Sequence, residues 1–179
     1  QIGSILHKVM EYFYQPEIKK VITPEVIKLK RSSVKTLVSK AFNFVMTNKE
    51  ESTLEYSGMQ KVILAIVEAY VEIILNRDEA DAPFTILSLE EKISTELEFE
   101  LNGKTEKVKL FGFIDRVDER NGVTRIVDYK TGGDKLTFSA IEKLFDTDGK
   151  SINKALIQTL IYTYAYERQS GRTGVEPNL

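Results

Sequence analysis

Residues 107–130 read KVKLFGFIDRVDERNGVTRIVDYK, and they contain the signals that decide the fold. The dipeptide Asn121-Gly122 divides the stretch into two runs of β-prone residues. An Asn-Gly pair between two such runs indicates a two-residue hairpin turn, because both residues tolerate a positive φ. The sequence therefore predicts one strand over 107–118, a second over 123–130, and antiparallel pairing between them.

The predicted turn also sets the register of the two strands. A two-residue loop pairs Arg120 with Val123, and counting back from that pair sets Asp115 opposite Asp128. The two carboxylates would lie on one face of the sheet with Cβ atoms about 4.5–5.5 Å apart. Lys130 would lie diagonal to Asp115, unless a bulge offsets the pairing.

Apolar side chains occupy both faces of the first of these strands. By alternation, one face carries Phe111, Phe113, Asp115 and Val117, and the other carries Leu110, Gly112 and Ile114. The pattern predicts a central strand that is covered on both sides. Asp115 is then an acid in an apolar setting, where an uncompensated carboxylate costs several kcal/mol.

Two facing carboxylates repel each other, and a bound divalent cation is the economical compensation. A ligand set made only of oxygen suits Mg²⁺ or Mn²⁺ rather than zinc or copper. A lysine beside such a site can orient water or stabilise a pentacovalent phosphate. The metal site and the lysine together predict metal-assisted phosphodiester hydrolysis. The alternative is an Asp–Lys–Asp network on the surface of an edge hairpin, without a metal.

The order of the other elements predicts the fold class. Residues 1–82 have mainly helical patterning, residues 83–130 form the predicted sheet core, and residues 137–168 return to helical spacing. This order predicts an α/β (α+β) domain, with a central mixed sheet of antiparallel hairpins flanked by helices. We expect residues 1–179 to form a single domain excised from a longer protein.

Two further expectations concern particular segments. The long helix predicted over 59–77 has apolar residues around most of its circumference, so we expect it to be well buried. Residues 169–179 are polar and contain glycine, which predicts a terminal loop with no strand after the last helix.

The composition excludes several kinds of protein. The chain has no cysteine, which rules out disulfides, cysteine nucleophiles and iron–sulfur clusters. No apolar run approaches the roughly 20 residues that cross a bilayer, so we expect a soluble cytoplasmic protein without a membrane partner. The net charge of −2 hides a basic segment, residues 1–49. That segment could follow a phosphate backbone or could be a solvated helical face.

Four ordered segments resemble one known family. The motif GFIDRVD at 112–118, followed by VDYKTG at 127–132, resembles the RecB-like branch of the PD-(D/E)XK nucleases. Residues 3–11 resemble the N-terminal helix of that branch, whose histidine is a metal ligand, and residues 158–162 resemble its Gln-x-x-x-Tyr helix. The resemblance extends from about residue 3 to residue 167, nearly the whole chain.

The resemblance implies a restriction-endonuclease-like core with an N-terminal helical region, and a set of roles. The implied metal ligands are His7, Asp115, Asp128 and the backbone carbonyl of Tyr129. The implied catalytic residues are Asp115, Asp128 and Lys130, whereas Gln158 and Tyr162 would lie near the DNA backbone. The implied activity is Mg²⁺- or Mn²⁺-dependent hydrolysis of DNA, of exonuclease type, in recombination or repair.

Other interpretations of these residues stay open. His7 is the only histidine, and alone it could be an ordinary core or boundary residue. Gln158 and Tyr162 share a helical face and could be packing residues, whereas Glu90 or Glu91 could add another carboxylate. The rival function is a catalytically silent, nuclease-like module that binds DNA or scaffolds a complex with helicase-like regions.

Overall fold

The computed structural model describes residues 1–51, 55–132 and 153–179. In these residues the helices are α1 (Ile2–Tyr14), α2 (Pro24–Lys30), α3 (Val34–Thr47), α4 (Gly58–Asp81) and α5 (Lys154–Ser170). The strands are β1 (Val21–Ile22), β2 (Phe84–Leu101), β3 (Lys104–Arg120), β4 (Val123–Val127) and β5 (Glu176–Asn178), in a sheet of order β1-β2-β3-β4-β5. The predicted α/β class is confirmed, and the arrangement is consistent with a restriction-endonuclease-like core.

Backbone contacts divide the chain into two compact units. The first contains Gln1–Leu89 with Asp118–Asn121, and the second contains Glu90–Val117 with Gly122–Leu179. The predicted single domain over 1–179 stays a prediction.

The first unit is built on three helices, α1, α3 and α4, which pack against one another. Their apolar stripes form its core, which includes Ile5, Leu6, Val9, Phe13, Val38, Val67 and Val71. Thr23 is the N-cap of α2, because its side chain accepts a hydrogen bond from the Val26 amide. Deeper in this unit, the Tyr14 hydroxyl donates to Asp78 over 2.7 Å.

Helix α4 is less buried than its composition predicts. Its buried side chains form one stripe that includes Leu64, Val67 and Leu75. Large apolar residues on its other sides, such as Met59 and Ile73, are exposed. The expectation of a well-buried helix was therefore wrong, because among the described residues one stripe of α4 is buried while its other sides are exposed.

The predicted turn at Asn121-Gly122 is present, and a second Asn-Gly pair, Asn102-Gly103, forms another hairpin turn. Asn102 and Gly103 have φ values of 52° and 74°, and Asn121 and Gly122 have φ values of 53° and 80°. Two successive positive φ values define a turn whose twist matches that of the flanking strands. These turns join β2 to β3 and β3 to β4.

Strand β3 is not covered on both sides along its whole length. Every residue from 114 to 118 is buried. Further out, Phe111 is 76% exposed and Phe113 is 55% exposed. The prediction of a fully covered central strand was wrong for this outer half.

The end of the chain forms a strand where a loop was predicted. Strand β5 pairs in parallel with β4, in the register Arg125↔Glu176 and Val127↔Asn178. Past the end of β4, the Asp128 amide donates to the Asn178 carbonyl over 3.1 Å. A parallel pair needs a long crossover, which here contains α5. Strand β4 also ends at Val127, three residues earlier than predicted, and residues 137–152 of the predicted helical region lie outside the described residues.

None of the helices in the described ranges combines the length and the apolar character that crossing a membrane requires.

Candidate active site

Two acids of the second unit lie where β3 and β4 are most buried. Asp115 is 8% exposed and lies on β3, and Asp128 is 3% exposed and directly follows β4. The hairpin at Asn121-Gly122 makes these strands neighbours, so the chain brings both acids into one region. Burial of this depth requires compensation of the charge on each carboxylate.

Asp115 is held by the backbone beyond β4. Its Oδ2 atom accepts a hydrogen bond of 2.7 Å from the Tyr129 amide. This contact brings Asp115 to the residue that follows Asp128, whereas the pairing of Asp115 directly opposite Asp128 stays a prediction. Because β4 ends at Val127, Asp128 itself lies outside the strand.

Glu90 brings another carboxylate to Asp115. Each of these residues offers a carboxylate oxygen, and the two atoms lie within 4.8 Å of each other. Glu90 has a φ of 48° within β2, a left-handed conformation that costs a non-glycine residue about 1–3 kcal/mol. Strain of this kind is often found at functional sites, and no sequence pattern indicated it.

Lys130 connects the acids to α5. Its Nζ atom lies 2.5 Å from Asp128 Oδ2 and donates to Gln158 Oε1 over 3.1 Å. The Gln158 side-chain amide in turn donates to the Tyr162 hydroxyl over 2.9 Å. Four residues that the sequence places in two separate motifs thus form one connected chain of contacts.

Gly112 allows Tyr162 to approach β3 closely. A Cβ atom at position 112 would lie 2.7 Å from both the Tyr162 hydroxyl and a ring carbon. Side-chain carbons do not approach that closely, so position 112 requires glycine while Tyr162 keeps this place. A glycine inside a strand signals such an approach, and this signal was present in the sequence.

Arg116 is a supporting residue that the sequence did not single out. It is buried, and its Nη1 atom donates to the Tyr129 hydroxyl over 2.9 Å. This contact holds the Tyr129 side chain in the interior, next to the peptide that binds Asp115. An arginine on a strand is usually a surface residue, so its role could not be read from spacing.

A family model for the PD-(D/E)XK nuclease superfamily matches residues 1–177. The chain belongs to the PD-(D/E)XK nuclease superfamily. Membership implies a nucleic-acid substrate and hydrolysis of its phosphodiester bonds. A search of curated proteins finds no significant match.

Nucleases of this superfamily typically use a divalent metal, and the donor set of the second unit fits one. The oxygens of Glu90 and Asp115 are close enough to repel each other without a cation, and carboxylates are the ligands that Mg²⁺ and Mn²⁺ prefer. The chain has no cysteine that would favour a softer metal. His7 lies on α1 in the first unit and is partly buried, and its role as a ligand stays a prediction.

Proposed function

We propose that this protein is a metal-dependent DNA nuclease of the RecB-like branch, acting as an exonuclease in recombination or repair. The observation that supports this most is the continuous set of contacts from Asp128 through Lys130 and Gln158 to Tyr162. It joins the two motifs that the resemblance connects with catalysis and with the DNA backbone. Helicase-like regions of the same or a partner protein would supply the DNA end.

The proposed metal ligands are Asp115, Asp128, the Tyr129 carbonyl and His7. Glu90 is added to them because its carboxylate lies beside that of Asp115. A divalent cation held there would supply positive charge and an activated water for attack on phosphorus. The Tyr129 amide orients Asp115 by binding one of its oxygens.

Lys130 has the most direct proposed role in the reaction. Its ammonium places a positive charge beside Asp128, where negative charge develops on the phosphoryl oxygens. Gln158 holds this ammonium in place by accepting a hydrogen bond from it, and Tyr162 holds Gln158 by accepting one from the Gln158 amide. The lysine is thereby oriented before substrate arrives, which is what electrostatic stabilisation of a transition state requires.

The test is Mg²⁺-dependent digestion of end-labelled linear DNA by wild type and Lys130→Ala at matched concentration. We expect the variant to lose about 100-fold or more in rate, as when one preorganised stabilising group is removed. DNA binding should persist, since phosphate contacts elsewhere carry it. Lys61→Ala, which removes an exposed lysine on α4, is the control and should cut at the wild-type rate.

The outcomes separate the proposed enzyme from the rival module. Equal cleavage by wild type and Lys130→Ala would contradict the proposed role of the lysine. Binding without cleavage by every variant, with one common salt dependence, would favour the catalytically silent module. A closed circular substrate, cut only by an endonuclease, tests the exonuclease assignment separately.

A further inference from the structure

Two large aromatic side chains lie exposed on the strand that carries Asp115. Phe111 and Phe113 lie four and two positions before Asp115, so alternation sets all three on one face of β3. They belong to the same compact unit as Asp115. The rings therefore extend from the candidate site along the surface of one strand.

In the part of this unit that the structure describes, both rings are exposed and lie outside the core. The opposite face of the hairpin is covered by α5, whose Ile157, Leu160 and Ile161 line an apolar cavity of about 220 Å³ with Leu97 and Leu110. The apolar packing of β2 and β3 is thus satisfied on the side away from the phenylalanines. Large aromatic side chains that are exposed together, outside the core, indicate a binding surface.

One basic and one polar residue of β2 border the two rings, on a face that also carries Glu96 and Glu98, both paired with Lys107. The turn at Asn102-Gly103 pairs Leu101 with Lys104, and counting along the ladder pairs Glu98 with Lys107. The ion pair of 2.5 Å between these two side chains supports that register. The same count sets Lys92 opposite Phe113 and Ser94 opposite Phe111, and both residues are exposed.

We propose that Phe111 and Phe113 stack on successive bases of a single strand of nucleic acid that leads to Asp115. Same-face residues on a strand are about 6.8 Å apart, which gives each base its own ring. Stacking on aromatic rings tolerates any base, as a nuclease without sequence preference requires, and Lys92 is placed to contact phosphate. In a duplex the flat faces of each base pair are stacked on neighbouring base pairs and cannot contact the rings, so this surface selects single strands. The inference rests on the proposed function and specifies the substrate of that same site.

The test measures binding of labelled oligo(dT) and of a blunt duplex, in the Lys130→Ala background with Mg²⁺. The test variant is Phe111→Ala with Phe113→Ala. Phe111→Tyr with Phe113→Tyr keeps both rings, and Val108→Ala shortens a partly exposed residue on the opposite face of β3. All three variants should keep the melting temperature of the parent, which checks that each variant is folded.

Loss of both rings should weaken oligo(dT) binding about 25-fold, which corresponds to about five-fold for each ring, from the lower end of measured stacking energies. The salt dependence should not change, because no charge is removed. Duplex binding should stay within about two-fold of the parent, and so should oligo(dT) binding by the tyrosine and Val108→Ala variants. When Lys130 is restored, the double alanine variant should cleave single-stranded DNA with a raised KM and an unchanged kcat.

Three results would overturn the inference. In the first, oligo(dT) binding survives the loss of both rings. In the second, the loss of both rings weakens duplex binding as much as oligo(dT) binding. In the third, light scattering shows that the parent is a dimer and that the alanine changes dissociate it. The last result would mean that the rings pack against a second copy of the chain. If the wild type cuts DNA while any of these holds, only the inference fails. If the wild type neither cuts nor binds DNA, the proposed function fails with it.

Discussion

Gly112 shows how the absence of one side chain positions several others. The Tyr162 ring occupies the space that a Cβ at position 112 would fill. Tyr162 accepts a hydrogen bond from Gln158, and Gln158 accepts one from Lys130. A change at this glycine therefore acts on the lysine through two intervening side chains.

We expect Gly112→Ala to reduce the cleavage rate about ten-fold or more, because the added methyl displaces Tyr162 and shifts the Gln158–Lys130 contact. Displacements of about 1 Å at supporting residues have effects of this size or larger. The loss should appear in kcat, with metal binding retained. Rates are measured on linear DNA, and Mg²⁺ binding by calorimetry.

The control for this change is Gly58→Ala. Gly58 begins α4, and nothing lies within 4 Å of the position of its Cβ. Alanine is the better helix former, so this variant should be unchanged or slightly more stable. If Gly112→Ala cuts DNA as fast as Gly58→Ala, Tyr162 does not position the lysine.

Local signals predicted the strands that have strong turns, and failed where pairing is set by distant parts of the chain. Asn121-Gly122 predicted the β3–β4 hairpin, because its conformational preference lies within the two residues. Strand β5 was missed, since it is three residues long and contains Pro177. Proline is tolerated only on an edge strand, and nothing near Pro177 in the sequence indicates which edge is available.

The candidate site could be predicted only in part, for the same reason. Asp115, Asp128 and Lys130 were singled out by their alternation and their turn. The approach of Tyr162 to β3 and the left-handed Glu90 depend on how helix and sheet pack. Packing between elements has no period in the sequence, so those features required coordinates.

Removal of β5 should weaken the site at the end of β4. Deletion of residues 176–179 removes the parallel partner of β4 and the Asn178 carbonyl that accepts a hydrogen bond from the Asp128 amide. Leaving a buried amide without its acceptor costs about 1–3 kcal/mol. We therefore expect a lower melting temperature and weaker Mg²⁺ binding. Differential scanning fluorimetry with and without the ion measures both.

Leu179→Ala is the control for this deletion. Leu179 follows β5 and is partly exposed, so its truncation should change little. If the deletion variant has the same melting temperature and the same Mg²⁺ affinity as the Leu179→Ala protein, β5 does not support Asp128.

For the whole molecule, the charge of the first unit is mostly paired internally. Lys28 and Arg31 contact Glu79, Lys30 contacts Glu17 over 3.0 Å, and Lys40 contacts Glu50 over 3.0 Å. Burial acts to raise the pKa of Glu17, but the hydrogen bonds and positive charges of Lys30 and Lys20 together outweigh burial and lower that pKa. These contacts favour an ion-paired helical face over a track for phosphate groups. Nucleic-acid affinity is therefore expected to depend on the second unit.

A bound divalent ion should raise the melting temperature of the whole protein. Binding to the folded state alone stabilises it by about 2.7 kcal/mol at a hundred-fold excess over Kd, or roughly 5–10 °C for a chain of this size. We expect Asp115→Asn and Asp128→Asn each to abolish the shift with Mg²⁺ and Mn²⁺. Calorimetric or fluorimetric melting curves at several ion concentrations provide the measurement.

Glu106→Gln is the matched control for these two changes. Glu106 is an exposed acid near the outer end of the same strand, β3, so its neutralisation should leave the ion-dependent shift intact. A shift that survives both aspartate changes would locate the ion elsewhere in the protein.

The parallel pairing of β5 with β4 has a consequence for the order in which the chain assembles. A ribosome releases β4 well before it releases Asn178, and until then the edge of β4 has no strand beside it. An open edge is a template for pairing with other chains, so the nascent protein passes through a period of exposure to misassociation. Pairing over so long a separation also forms slowly, because the intervening loop must first be closed. The outer support of the candidate site is thus one of the last parts of this fold that can form during synthesis.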